Sequence, residues 1–258
     1  GAPVVPVSVE VSEQLRVVAI TGPNTGGKTV TLKSIGLAAL MARAGMWIPC
    51  NGSPSLPWCA QVLADIGDEQ SLQQSLSTFS GHVKRIGSIL QSIASGPSPA
   101  LGLLDEVGAG TDPSEGTALA IALLRNLANC ARLTIATTHF GELKALKYSD
   151  SRFENASVAF DSDSLSPTYQ LLWGIPGRSN ALAIATRLGF DSGVIEQARQ
   201  LLKPSGDGDV TAVIRGLEEQ RQRQQAAAED AAARLARTEL LHEELLQRWE
   251  QQRKNSAQ

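Results

Sequence analysis

The sequence predicts an α/β domain built on a mainly parallel sheet covered by helices, with a long helix at the carboxyl end. Three observations carry this. Short, nearly unbroken apolar runs (Val17 to Ile20, Ala100 to Leu104, Leu133 to Thr138) alternate with segments of helical spacing, the pattern of strands buried on both faces. A glycine-rich turn, Gly22 to Thr29, lies between the first of these runs and the first helical segment. Beyond Pro204 to Gly208 the composition changes: Gly216 is the one remaining glycine, no proline follows, and Ala226 to Ala236 is rich in alanine, which favours helix.

Taken in order, residues 4 to 20 alternate polar and apolar before becoming continuously apolar, so an edge strand is expected to run into a buried one. Thr31 to Ala44 carries Leu32, Ile35, Ala39 and Leu40 at helical spacing and is closed by Gly45. Met46 to Cys50 and Ala60 to Ile66 read as short strands around a turn from Asn51 to Pro57. After a polar loop, Gly67 to Ser80, a helix is expected from about His82 to Ile93, then a break at Ser95 to Pro99. Ser114 to Ala128 reads as a helix with Ser114 as its N-cap. Phe153 to Phe160 and Thr168 to Trp173 read as strands, and Ser179 to Leu188 and Ser192 to Leu202 as helices, the second capped by Asp191. A heptad frame on Ile214 gives a seam containing Arg221, His242, Gln224 and Gln252, too polar for a zipper. The segment from Asp209 onward is therefore read as a projecting helical arm, with 204–258 as linker plus arm.

Composition narrows the function classes. The chain of 258 residues is 42% hydrophobic and 19% charged, with a net charge of −3, an ordinary globular balance that offers no electrostatic argument for nucleic acid. Cys50, Cys59 and Cys130 form no C-x-x-C pair, and His82, His139 and His242 adjoin none of them, so neither a disulfide frame nor a zinc site is expected. No apolar run approaches the length of a membrane span, and a soluble, cytoplasmic chain is expected. Gly1-Ala2, with the loop only about twenty residues further on, suggests a piece of a longer protein.

The chemistry begins at Gly22-Pro23-Asn24-Thr25-Gly26-Gly27-Lys28-Thr29, which fits G-x-x-x-x-G-K-[ST]. Glycines let the backbone turn so that N–H groups near Gly26, Gly27 and Lys28 point at one anion, aided by the positive end of the next helix. Lys28 would add charge at the β/γ-phosphates and the Thr29 hydroxyl would ligate Mg²⁺. Asp105-Glu106 closes the second apolar run: Asp105 is expected on the metal, and Glu106 as the group that orients or deprotonates the attacking water. An Asp-Glu pair by itself is more often a solvated surface feature; its pairing with the loop is what gives it meaning. His139, in Thr137-Thr138-His139-Phe140 after the third run, would reach the crevice at the carboxyl ends of the strands and contact the γ-phosphate.

Together these residues resemble the ABC-type ATPase domain of the MutS family, over roughly residues 10 to 203. GPNTGGKT matches its Walker A, LLDEVGAGTDPSEG its Walker B and following loop, TTHF its histidine switch and STFSGH its signature region. ADIGDEQSL, STFSGH and GIPGRSNALAIATRLGF resemble the branch called the second MutS type, which suppresses recombination in bacteria and plastids. The resemblance implies an ABC-type P-loop fold over 1–203, ATP and Mg²⁺ as ligands, and a head-to-tail homodimer in which Ser77 and Thr78 reach the partner's nucleotide. It also makes 174–203 a dimerisation helix-turn-helix. Phe140-Gly141-Glu142 matches the lesion-reading string of mismatch-repair MutS, but its place beside His139 marks it as coincidence. The family's DNA clamp would lie before Gly1, and the nuclease domain of the second type after Gln258, so nuclease activity is not expected within 1–258.

The leading expectation is a Mg-dependent ATPase whose nucleotide-driven dimer closure controls binding to branched DNA and suppression of homologous recombination, in the nucleoid-bearing cytoplasm or the plastid stroma. The alternative is a nucleotide-binding assembly module with little activity alone, serving a ribosome- or RNA-directed complex. A chromosome-organising or transport ATPase is the third class. It calls for an LSGGQ string or a long coiled coil between the motifs, and about seventy residues separate them here without such a string.

Overall fold

A computed structural model describes residues 6–22, 26–67, 78–161, 166–177 and 181–201, together with Ala231, Arg234, Arg237 and Thr238, which are helical. Two compact units emerge, Gly1–Ile195 and Glu196–Gln258. The rest of the expected arm, with Pro23, Asn24, Thr25 and Ser77, lies outside the described residues.

In the first unit a six-stranded sheet has the order β2-β3-β4-β1-β5-β6. Its strands are β1 Val17–Thr21, β2 Gln61–Asp65, β3 Ala100–Leu104, β4 Leu133–Thr137, β5 Phe153–Asp161 and β6 Ser166–Trp173. All neighbours run parallel except β5 and β6, an antiparallel pair with an irregular register between Val158 and Phe160. The mainly parallel α/β expectation therefore holds, and its cause is visible in the burial. Every residue of β1, β3 and β4 is buried, because α1 Lys28–Arg43 covers one face and α2 Thr78–Ser95 and α3 Pro113–Cys130 cover the other. Strand residues alternate between the two cores. Val17 and Leu104 pack with Ile89, Leu124 and Leu127, whereas Val18, Ile20, Leu103 and Ile135 pack with Leu32 and Ala39.

Local chemistry explains the ends. The α3 N-cap is Asp112, not Ser114: Pro113 occupies the first helical position, and Asp112 Oδ1 accepts from the N–H groups of Ser114 and Glu115 at 2.9 and 3.2 Å. Asp191 Oδ1 accepts from Val194 N at 3.0 Å and caps α6 Ser192–Leu201, which follows α5 Ala181–Arg187.

Two expected strands do not form. Residues 6–16 are not in a ladder; pairing starts where Arg16 and Val17 meet the Arg152 carbonyl. Residues 46–50 are irregular, with Trp47 95% exposed. An alternating apolar pattern gives a strand only where a neighbouring strand offers its backbone groups. The sequence pattern also missed the short helical stretch from the 3₁₀ turn Glu142–Ala145 into α4 Leu146–Ser149, which buries Leu143 and Leu146.

Candidate functional site

The loop after β1 and the residues after β3 and β4 all emerge at the carboxyl edge of the sheet, where ligands of open α/β sheets bind. Gly22 and Gly27 have φ of 127° and 94°, a region costly for residues with a Cβ. A Cβ on Gly27 would lie 2.7 Å from the ring of Tyr169 on β6. The loop is also supported from behind. Gly177 donates its N–H to Thr21 Oγ1 at 2.6 Å, its carbonyl accepts from Lys144 Nζ at 2.7 Å, and a Cβ there would stand 2.6 Å from Gly22 Cα.

Lys28 opens α1 and is 2% exposed. Its ammonium donates to the Gly22 carbonyl at 2.6 Å, folding back across the loop. Burial pulls its pKa down from the usual lysine range to about 8, although the carboxylates of Glu106 and Asp105 pull it up. Such a cation has lost water that an anion would replace.

The strand order puts β4 between β1 and β3, so the end of β4 separates the loop from the acidic pair. Thr137 occupies that end. Its hydroxyl accepts from Glu106 N at 2.8 Å and donates to Asp105 Oδ1. The second oxygen, Asp105 Oδ2, accepts from Thr29 Oγ1 at 2.9 Å. Glu106 sits at φ 51°, unusual for a residue with a side chain and a sign of strain held by its surroundings. His139 bridges the two halves, with Nδ1 3.4 Å from Lys28 Nζ and Nε2 3.2 Å from Glu106 Oε1. An ammonium only donates, so Nδ1 accepts and Nε2 carries the hydrogen given to Glu106.

The structure thus brings Gly22, Gly26, Gly27, Lys28, Thr29, Asp105, Glu106 and His139 into one crevice. Thr78 begins α2, with its side chain outside the described residues. Thr137 and Tyr169 are additions that sequence reasoning missed. Thr137 was visible only as part of TTHF, and Tyr169 carried no signal, being an exposed aromatic at φ 58° in an edge strand. The cradle fits a triphosphate: two positions exclude side chains and a buried cation waits beside them. A hydroxyl and a carboxylate in contact fit Mg²⁺, which keeps few protein ligands. Among the described residues no group of three His, Cys, Asp or Glu side chains converges.

Residues 18–204 match the family model described as MutS domain V. The chain belongs to the MutS domain V family. This family has the P-loop ATPase fold, in agreement with the sheet and loop described above. Among similar curated proteins is the "Endonuclease MutS2" of Synechocystis sp., 58% identical over 96% of this chain and 32% of its own length. Proteins of the same name from Geobacillus kaustophilus and Enterococcus faecalis are 49% and 46% identical over 96% and 92% of this chain and 30% of theirs. The chain thus spans about a third of the length of the MutS2 proteins it matches. Among the described residues of this MutS domain, no helix is long and apolar enough to cross a membrane.

Proposed function

We propose that this domain binds ATP with Mg²⁺ and hydrolyses it, two copies closing head to tail so that each nucleotide is completed by Ser77 and Thr78 of the other. The observation that carries the reading is the bond from Thr29 to Asp105 with Glu106 adjacent, which sets a metal-type oxygen pair beside a carboxylate. Loop amides and Lys28 hold the phosphates. Thr29 and Asp105 would hold the cation, which would supply neutralisation of phosphate charge. Glu106 accepts the proton of the attacking water, and His139 holds Glu106 from one side while facing Lys28 on the other. The exposed ring of Tyr169 beside Gly27 offers the nucleotide a stacking face.

In the whole protein this cycle would govern binding to branched DNA and suppression of homologous recombination. A link to nucleic acid is supported by the word endonuclease in the name of the relatives; the helix pair α5 and α6 would supply dimer contacts, and the protein would act in the cytoplasm at the nucleoid or in the plastid stroma. Turnover per chain measured against protein concentration tests it. The expected rate climbs steeply as dimers form and is lost in Lys28→Ala. A Lys28→Ala chain with normal ATP affinity and turnover overturns the reading. Binding without turnover at any concentration supports the assembly-module alternative, with a ribosome- or RNA-directed partner.

A further inference from the structure

We propose that Asp65 is a positioning residue for turnover: its buried carboxylate, gripped by His82 and Arg85, holds the first turns of α2 in a set relation to Asp105. The inference rests on the ATPase reading above.

Asp65 ends β2 and is 1% exposed. It has two separate jobs. Its carbonyl accepts from Asp105 N at 2.9 Å, carrying the β2–β3 ladder one step past β3 to the metal-type carboxylate. Its side chain faces α2, accepting from His82 Nδ1 at 2.7 Å through Oδ2 and from Arg85 Nε through Oδ1. A carboxylate only accepts, so the hydrogen of His82 is fixed on Nδ1. His82 and Arg85 are three apart, on one face of the helix.

The first two turns of α2 lie outside the main core cluster, although half-buried Phe79 lines the cleft toward α3 with Leu119 and Leu123. Ile86, Ile89, Leu90 and Ile93 pack on the core, all beyond Arg85, whereas Val83 is 43% exposed. The polar grip therefore ties down the helix ahead of the residues that pack on the core. Burying a charge for stability alone is poorly rewarded, since an apolar pair of similar volume serves as well. What the grip supplies is direction, fixing the rotation and depth of the helix start. The cleft between α2 and α3 is lined by Asp65, His82, Val83, Asp105, Glu106 and Leu123, so the grip adjoins the acidic pair. Because α2 starts at Thr78, Asp65 links the end that would face a partner's nucleotide to the carboxylate that would hold the chain's own cation.

The test uses the full chain with a fluorescent ATP analogue for affinity and phosphate release for turnover. Asp65→Asn is expected to keep affinity within about twofold while kcat falls about tenfold or more, the mark of an interaction felt in the transition state and not in ground-state binding. His82→Ala should show the same split. His82→Asn, whose amide Nδ2 stands near the place of ring Nδ1, should recover much of the loss. Wild-type kcat in Asp65→Asn, or affinity and kcat falling together with a lowered melting temperature in all three variants, overturns the inference. Wild-type turnover no higher than that of Lys28→Ala overturns the ATPase reading and this inference with it; normal wild-type turnover retained by Asp65→Asn overturns the inference alone.

Discussion

Thr29 Oγ1 donates to Asp105 Oδ2 at 2.9 Å, joining residues 76 positions apart. They follow strands that are not neighbours, Thr29 in α1 beyond β1 and Asp105 just past β3, since β4 runs between β1 and β3. The contact therefore depends on Thr137 at the end of β4, which holds the other Asp105 oxygen and the N–H of Glu106. A hydroxyl and a carboxylate already in register need little rearrangement to receive a cation, and preorganised polar groups of this kind carry much of a catalytic effect.

Glu106→Gln keeps the shape and removes the base. ATP binding is expected to persist while turnover falls by about 10²-fold or more, and dimers should accumulate with ATP in size-exclusion runs. A variant that no longer binds ATP would show that Glu106 serves the binding step.

Tyr169→Ala removes the ring beside Gly27. ATP affinity is expected to weaken by about tenfold, in the range of aromatic stacking, while inorganic triphosphate, which has no base, binds as before. Competition titrations with the two ligands check this.

Asp150 is held by Arg152, whose guanidinium bonds lower its pKa from the usual carboxylate value to about 2. A lowered folded-state pKa gives stability present above the unfolded value and lost as pH falls through the folded one. The window is thus about pH 4 down to about pH 2. Asp150→Asn should lower the urea midpoint at pH 7 and match wild type below about pH 2. Both groups are partly exposed, so the effect is expected to be small and weakened by salt.

Leu124 is fully buried between α3 and the sheet. Leu124→Ala is expected to cost about 2–5 kcal/mol through lost burial and a cavity, read as a lower unfolding midpoint with unchanged slope.

Much of this was legible in the residue pattern because central parallel strands, covered on both sides, leave continuous apolar runs such as Val17 to Ile20 and Ala100 to Leu104. The loop was legible because its glycines are dictated by backbone geometry at Gly22 and Gly27. Edges were not. Residues 46–50 have strand-like composition and no ladder partner, and the helical stretch 142–149 is too short for periodicity to register. Asp112 was passed over for Ser114, though Pro113 between them marks the first helical position. The grip of His82 and Arg85 on Asp65 joins residues 17 and 20 positions apart through tertiary packing, which no local pattern encodes.

The placing of β1 between β4 and β5 has a consequence for synthesis. When synthesis has reached Cys130 the glycine-rich turn, Asp105 and Glu106 are present, yet β1 has no neighbour on either flank. Pairings this distant in sequence slow folding, so the crevice cannot be complete before Thr137 and His139 at the end of β4 have left the ribosome, and a release at Cys130 leaves the loop and the acidic pair translated without the strand that joins them.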